Sequence, residues 1–522
     1  MQRVFPIPLH LPFGGFLEKI MRNSAHLFLL TTVLALALNG CMPGPSPVST
    51  VELSTATLAQ PTPTLALSTP TPVMPTLEPT LPPIQVTMQE GNTFPKYALH
   101  PKRSGELEDN RIGAFAGGLT GGGWKPGDPW DYEWMVDQIV SKGVKRFRVA
   151  IDNQDAGSPD LDWSIPQYTI DPSHDALITL LAGQGITMTY VLTFWDKDTW
   201  QGGQGANCPR FKTEAEVDRY LEFVQFIVHH FKDRIQNYEI WNEPNTVFCP
   251  QRIELVDYIN LVRLTAAVIR EEYPEAKIAV GATNYLGQAD SQDYLFGILN
   301  SDIMPLVDIV SWHPMYGTSP EFDPAYYSKY PAIVQRIKDT AAAHGFNGTY
   351  EADELTWFAL NGNWDGWSMR YSDTVSGKYM SRGILMHLGM DVTAGGASAL
   401  IFDSHWVSVP STVQNLSTIM AGAKVTSIPV KIETNAGDVV SYTFSMPNGD
   451  KLIALWNDDA AVDDDPGVSS VVTIPGYSGW SAKGTDVLNG FEQELIAGNM
   501  NGNLVIQDLL IKDYPIIIRL SQ

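Results

Sequence analysis

Two short segments, far apart in the chain, carry the residue types that acid–base and nucleophilic chemistry needs. Tyr238-Glu239-Ile240-Trp241-Asn242-Glu243-Pro244-Asn245 closes an apolar run with a carboxylate set between Asn242 and Pro244. Glu354 follows 111 residues later in Thr349-Tyr350-Glu351-Ala352-Asp353-Glu354-Leu355-Thr356-Trp357, where Glu351 and Asp353 compete with it. Two carboxyl groups facing each other across a cleft divide their work. One keeps its proton because it is buried beside a second carboxylate, and the other stays ionised as base or nucleophile. Period-two alternation along an extended chain places Tyr350, Ala352 and Glu354 on one face, with Glu351 and Asp353 on the other. Glu354 is also nearest the C-terminal end of that run, which favours it over its two rivals.

Side chains so far apart in sequence meet only if regular elements carry them to one place. From about Arg111 short apolar runs alternate with amphipathic stretches, which predicts parallel strands joined by helices. The expected strands are 112–117, 146–151, 187–193, 238–241, 277–280, 308–312, 349–353 and 397–402. The clearest helix is 215–235, where Val217, Leu221, Val224, Ile227, Val228, Phe231 and Ile235 form a stripe at steps of three, four and seven. Eight such units predict an α/β fold, a (β/α)₈ barrel, with a doubly wound open sheet as the alternative. In a barrel both acidic segments end at the C-terminal rim, and three β/α units of roughly 30–40 residues each span the distance between them. From about Ser427 the alternation stops. Runs at 440–445 and 451–456 around Pro447-Asn448-Gly449-Asp450 predict a hairpin, and 471–474, 504–509 and 516–520 further strands of a small antiparallel, β-sandwich-like domain. The predicted organisation is a leader at 1–41, a Pro/Thr/Ser-rich linker at 42–100, a barrel at 101–426 and a β-domain at 427–522.

The Trp241-Asn242-Glu243-Pro244-Asn245 core resembles the acid/base motif of the retaining glycoside hydrolases of clan A, which include family 39 β-xylosidases and family 5 glucanases. The resemblance covers the barrel. It implies that Glu243 protonates the departing glycosidic oxygen and that Asn242 touches the sugar 2-hydroxyl. Leu355-Thr356-Trp357 is similar to the tail that follows the clan's nucleophile, which implies that role for Glu354. Arg146-Phe147-Arg148-Val149 resembles the clan's basic strand, so Arg148 is expected to hold the nucleophile ionised. In Ser311-Trp312-His313-Pro314-Met315-Tyr316, His313 and Tyr316 match a histidine and a tyrosine that contact sugar hydroxyls or the catalytic pair. The implied reaction is double displacement with retention on β-linked oligo- or polysaccharides, of the β-xylosidase, β-glucosidase or endo-glycanase type, requiring no metal and no organic cofactor. Sugar rings stack on aromatic side chains, which makes Trp406 beyond strand eight the best platform, followed by Trp195 and Trp124. The alternative class is a non-catalytic cell-surface carbohydrate-binding barrel, and neither carboxylate is missing as that class would require.

Bulk properties restrict the partners. The formal charge of −24, from 58 acidic and 34 basic residues in 522, opposes binding to nucleic acid. Lys19 and Arg22 precede the apolar run 27–38, which has a signal peptide's length and is too short to span a bilayer. It ends at Leu38-Asn39-Gly40-Cys41, which resembles a bacterial lipobox. The expectation is an extracytoplasmic protein anchored to the cell membrane by lipid on Cys41, with Met21 an alternative start to Met1. The Pro/Thr/Ser-rich stretch then reads as an extended spacer. With Cys41 lipidated, Cys208 and Cys249 remain for one disulfide, in loops that a barrel places side by side. The acidic run Asp458, Asp459, Asp463, Asp464 and Asp465 lacks the spacing of a calcium loop and reads as a solvated tip.

Overall fold

A computed structural model describes residues 97–117, 132–150, 168, 170, 172–194, 208–247, 251–357, 371–397 and 407–522. Eight parallel strands form its centre: β1 (Ile112–Gly117), β2 (Arg146–Ala150), β3 (Thr187–Leu192), β4 (Asn237–Ile240), β5 (Lys277–Thr283), β6 (Ile309–Trp312), β7 (Thr349–Ala352) and β8 (Thr393–Ala397). Each pairs with the next, and β8 returns to β1 through Ala394 opposite Ile112 and Ala397 opposite Ala114, so the sheet closes. Helices α1 (Tyr132–Ser141), α2 (Pro172–Gly183), α3 (Glu214–Phe231), α4 (Leu255–Glu272), α5 (Ala289–Leu299), α6 (Pro324–Ala343), α7 (Asp373–Gly389) and α8 (Ser408–Ile419) follow the strands in turn. This is a (β/α)₈ barrel. The open-sheet alternative is excluded by the β8–β1 pairing.

Local sequence explains the elements. Thr213 caps α3 by accepting from the Glu216 amide, and Val217, Val224, Ile227, Val228 and Phe231 bury the expected stripe. The helix ends at Phe231, earlier than its apolar period suggests; Ile235 is buried just beyond it. The eighth strand begins before the expected run 397–402, of which Ala397 alone is among the described residues. Thr393-Ala394-Gly395-Gly396-Ala397 forms the strand. Its small side chains hide it from any hydrophobicity reading, and they have a packing reason. A Cβ on Gly395 would meet Glu351 Oε1 at 1.8 Å, and one on Gly396 would meet the Asp353 carbonyl oxygen at 1.8 Å.

Beyond the barrel lie two antiparallel sheets. The larger has seven strands and includes the hairpin Val439–Ser445 with Lys451–Asn457, flanked by Ile516–Ser521 and Ser481–Asp486. Gly449, at φ 96°, closes the hairpin turn, with the Met446 amide donating to the Asp450 carbonyl at 2.9 Å. The smaller sheet has four strands, centred on Val468–Pro475 and Asn503–Ile511. Ile453, Leu455 and Ile518 of one sheet and Val472, Ile474, Leu504 and Ile506 of the other share a buried core, as in a sandwich. The strands 424–425, 431–433, 481–486, 491–494 and 497–500 have too few apolar residues to be read from sequence. Phe444, Leu452, Trp456 and Ile517 of the larger sheet belong to the same buried cluster as the barrel helices, so the sheet packs against the barrel. Among the described residues no helix is long and apolar enough to cross a membrane.

Candidate active site

The rim of the barrel collects charged groups from β2, β4, β6 and β7. Arg148 on β2 is 1% exposed and lies at the centre. Its Nε and Nη2 donate to Glu239 Oε1 at 3.1 and 2.5 Å, Nη1 to Glu354 Oε1 at 2.8 Å, and Nη2 also to Asn242 Oδ1 at 2.8 Å. The Phe115 ring of β1 lies against the guanidinium at 4.7 Å from its centroid. Burial alone would weaken the guanidinium's hold on its proton, but Glu239, Asp353 and Glu354 outweigh it and hold Arg148 charged above its ordinary range.

Glu243 sits just past β4 on a chain held in unusual conformations: Trp241 has φ 70° and Glu243 φ 48°. Left-handed backbone at two non-glycine residues costs energy, so the surroundings must enforce it. They do. Trp241 is fully buried against Phe211 and Tyr220, its Nε1 donates to the Gln251 carbonyl at 2.9 Å, and the Glu243 amide donates to the Ala282 carbonyl at 2.8 Å.

His313 and Tyr316 tie the two glutamates together. His313 Nδ1 lies 3.2 Å from Glu243 Oε1, and the Tyr316 hydroxyl lies 2.7 Å from that nitrogen and 2.5 Å from Glu354 Oε2. Burial first, then Glu354 and Glu243, push the Tyr316 hydroxyl well above its usual range, so it stays a proton donor. His313 is raised to about 9: burial opposes its charge, and Glu354, Asp353 and Glu243 overcome that. Carboxylate oxygens of Glu243 and Glu354 come within 4.8 Å of each other. Exposure separates the groups. Glu243 and Glu354 keep 13% and 15% of their side-chain surface, whereas Arg148, Glu239, Asp353 and His313 are sealed at 1% or less.

The structure thus brings together Arg148, Asn242, Glu243, His313, Tyr316 and Glu354. Trp124, Trp195 and Trp406 lie outside the described residues, as do Cys41 and Cys249. Cys208 is disulfide-bonded, and next to it a bridge between Arg210 and Ile253 joins the loops after β3 and β4. The face assignment on β7 needs correction. Tyr350 points outward, its hydroxyl donating to the Lys338 carbonyl of α6 at 3.4 Å, while Glu351 and Asp353 are turned to the barrel interior beside Gly395, Arg148 and His313. Glu354 reaches the rim because the strand ends at Ala352 and the chain leaves the two-residue period before pairing again at Leu355–Thr356. Glu239 was not singled out by the sequence reading, yet it takes two of the arginine's donors and accepts from Ser311 Oγ at 3.3 Å. Its signal is a lone acid inside a buried strand, which demands a buried cation.

No protein-family model and no curated protein matches the sequence. Solved structures do share the fold, and clan A glycoside hydrolases are among them. The family 39 glycoside hydrolase from the gut symbiont Bacteroides cellulosilyticus WH2 is 13% identical and aligns over 82% of this chain and 84% of its own, with a TM-score of 0.56. The catalytic domain of GH30 xylanase C from Talaromyces cellulolyticus is 12% identical over 81% of this chain and 99% of its own, with a TM-score of 0.51. A conserved exported protein from Bacteroides fragilis is 12% identical over 81% and 98%, also at 0.51. At such identities the likeness is one of fold: a closed barrel followed by antiparallel sheets.

Proposed function

We propose that this chain is a retaining β-glycosidase acting on β-linked oligo- or polysaccharides. The observation that carries the reading is the pair Glu243 and Glu354. They are the partly exposed carboxylates of an otherwise sealed charge cluster, with oxygens within 4.8 Å. Retaining enzymes hold their two carboxyl groups about 5–5.5 Å apart, and inverting ones about 6.5–9.5 Å, to leave room for water. Glu354, held by the Arg148 fork and the Tyr316 hydroxyl, attacks the anomeric carbon as Glu243 gives its proton to the leaving oxygen. Glu243, now a carboxylate facing His313 Nδ1, takes a proton from water. That water attacks the same carbon, releases the sugar with retained configuration and restores both groups. Asn242 Oδ1 is occupied by Arg148, which leaves the amide Nδ2 to donate to a sugar hydroxyl. In the same proposal the protein works outside the cytoplasm, tethered by lipid on Cys41. Loss of fatty-acid labelling in Cys41→Ser is the expected result, and labelling that persists removes the tether.

Hydrolysis of aryl β-xyloside, glucoside, mannoside, galactoside and arabinoside by the native protein and by Glu354→Ala tests the reaction. Turnover by the native protein alone, restored in the variant by azide, is expected. Activity that survives in Glu354→Ala rules out this nucleophile. Inertness towards the aryl panel and towards polysaccharides leaves a carbohydrate-binding barrel.

A further inference from the structure

Asp353 takes no part in the double displacement, yet it lies among the groups that do. Its side chain is 1% exposed, with Oδ2 3.8 Å from Arg148 Nε and Oδ1 3.6 Å from His313 Nε2. Both Asp353 oxygens and His313 Nε2 are buried without a hydrogen bond of good geometry, and the Glu239 carboxyl stands close enough to Asp353 to raise its hold on a proton. Atoms of this kind are rare in folded proteins and call for a reason.

The other ring nitrogen supplies the first half of that reason. The Tyr316 hydroxyl has one proton, and at 2.5 Å it donates that proton to Glu354 Oε2. Towards His313 Nδ1, 2.7 Å away, it can therefore only accept, so Nδ1 carries a proton, with Glu243 Oε1 as a second acceptor at 3.2 Å. A neutral ring would then aim the Nε2 lone pair at two carboxyl oxygens, Asp353 Oδ1 and Glu354 Oε1, each 3.6 Å away. Lone pair against carboxylate in a sealed site is repulsive. One proton on the line between Nε2 and Asp353 Oδ1 relieves the conflict, whichever atom carries it.

We propose that Asp353 is a positioning residue: with His313 Nε2 it holds one proton beneath the nucleophile, and so keeps Nδ1–H as the donor to Tyr316 and Glu243. The groups facing the ring are Asp353, Glu354, Glu243 and Tyr316, with Arg148 and Glu239 behind Asp353. Burial and the Glu239 carboxylate push the Asp353 carboxyl well above its usual range, against the pull of His313 and Arg148. His313 is raised as well, to about 9. Both directions favour keeping a proton between the pair. The consequence for turnover rests on the glycosidase reading, because the Nδ1–H donor then meets the carboxylate that Glu243 becomes once its proton has gone to the leaving group. The placement of the proton does not rest on it.

The test follows the His313 ring nitrogens by NMR in the full chain labelled with [¹⁵N]histidine, assigned with His313→Gln. Unchanged ring signals from about pH 5.5 to 8 are expected in the native protein. Asp353→Asn, close in shape but unable to ionise, is expected to move the ring titration at least about one pH unit towards acid. The pH profile of kcat/KM is expected to move with it, with a loss of about tenfold falling on kcat rather than KM. A native ring that titrates near 6.5, its ordinary value, overturns the proposal, and so does a titration that Asp353→Asn leaves in place. If Asp353→Asn does not fold, the native titration decides. If the protein hydrolyses nothing, the ring signals still answer, which separates failure of this proposal from failure of the glycosidase reading.

Discussion

Two of the buried ionic networks among the described residues invite comparison, one at the barrel rim and one at the seam between α7 and the C-terminal sheets. At the seam, Lys378 lies 2.8 Å from Asp513, the two side chains 2% and 4% exposed, and it also donates to the Val462 carbonyl. Arg382 donates from Nε to the Asp513 carbonyl at 2.8 Å, and from Nη2 to the carbonyls of Asn457 at 3.1 Å and Asp459 at 2.8 Å. Its donors go to backbone that would otherwise have lost its hydrogen bonds where a helix meets loop ends, and its carboxylate neighbour, Asp458 at 3.6 Å, is already held by the Tyr327 hydroxyl and Trp456 Nε1. At the rim the cation faces carboxylates, and two of these keep surface open to a ligand. A buried charge that closes on backbone serves folding. One that closes on partly exposed acids leaves those acids available for chemistry.

Substitutions separate the two networks. The largest effect is expected from Arg148→Lys, because an ammonium cannot reach Glu239, Glu354 and Asn242 together as the guanidinium fork does. Removing a preorganised donor costs about 10²–10³ in turnover, so kcat on whichever aryl glycoside of the panel the native protein hydrolyses is expected to fall by that order. Unchanged kcat would mean that the fork does not orient Glu354. At the seam Asp513→Ala strands the Lys378 charge and is expected to cost about 3–5 kcal/mol of stability, seen in denaturant unfolding, with kcat and KM unchanged. Replacing both partners, Lys378→Met with Asp513→Leu, is expected to cost less than Asp513→Ala alone, since no charge is left unpaired. A double variant worse than the single one would assign the seam a role beyond charge pairing.

Sequence made the rim more legible than the seam. Arg148, Asn242, Glu243, His313, Tyr316 and Glu354 could be named because their segments resemble clan A motifs and fall at strand ends, which a barrel delivers to one rim. The seam gave no such mark. Lys378 and Arg382 carry no mark in the sequence, and both are buried on the helix against which the C-terminal sheet packs. The start of the strand Thr393–Ala397 was not legible because close approach by Glu351 and Asp353 selects glycine over the bulky residues that identify strands. On β7, alternation assigned the wrong face because the strand ends two residues before Glu354. The choice of Glu354 also rests on its place in the segment and on its tail, features that do not depend on the pleat.

The smallest predicted effect distinguishes the interior of the barrel by pH. Glu351 is raised from its ordinary 4.5 to about 7, by burial first, with Glu239 adding and Arg146 and Arg148 opposing. The folded chain therefore keeps a proton that the unfolded chain releases above 4.5, and stability falls as pH rises from there to about 7. His313 acts in the next window. Its stabilising contribution is fully present below 6.5, its ordinary value, and is lost as pH rises through about 9. Both groups bind more protons folded than unfolded, so both slopes have the same sign and the windows follow one another. Glu351→Gln keeps the shape of the side chain that Gly395 makes room for, but it cannot ionise. It is expected to flatten the loss of melting temperature across the lower window and leave the upper one unchanged. The difference between native and variant profiles cancels the titrating groups that do not interact with Glu351, so the same slope in both would show that Glu351 is ionised inside the barrel. Arg146 and Arg148 would then outweigh burial at that position, and the interior would hold one more negative charge than the rim network needs.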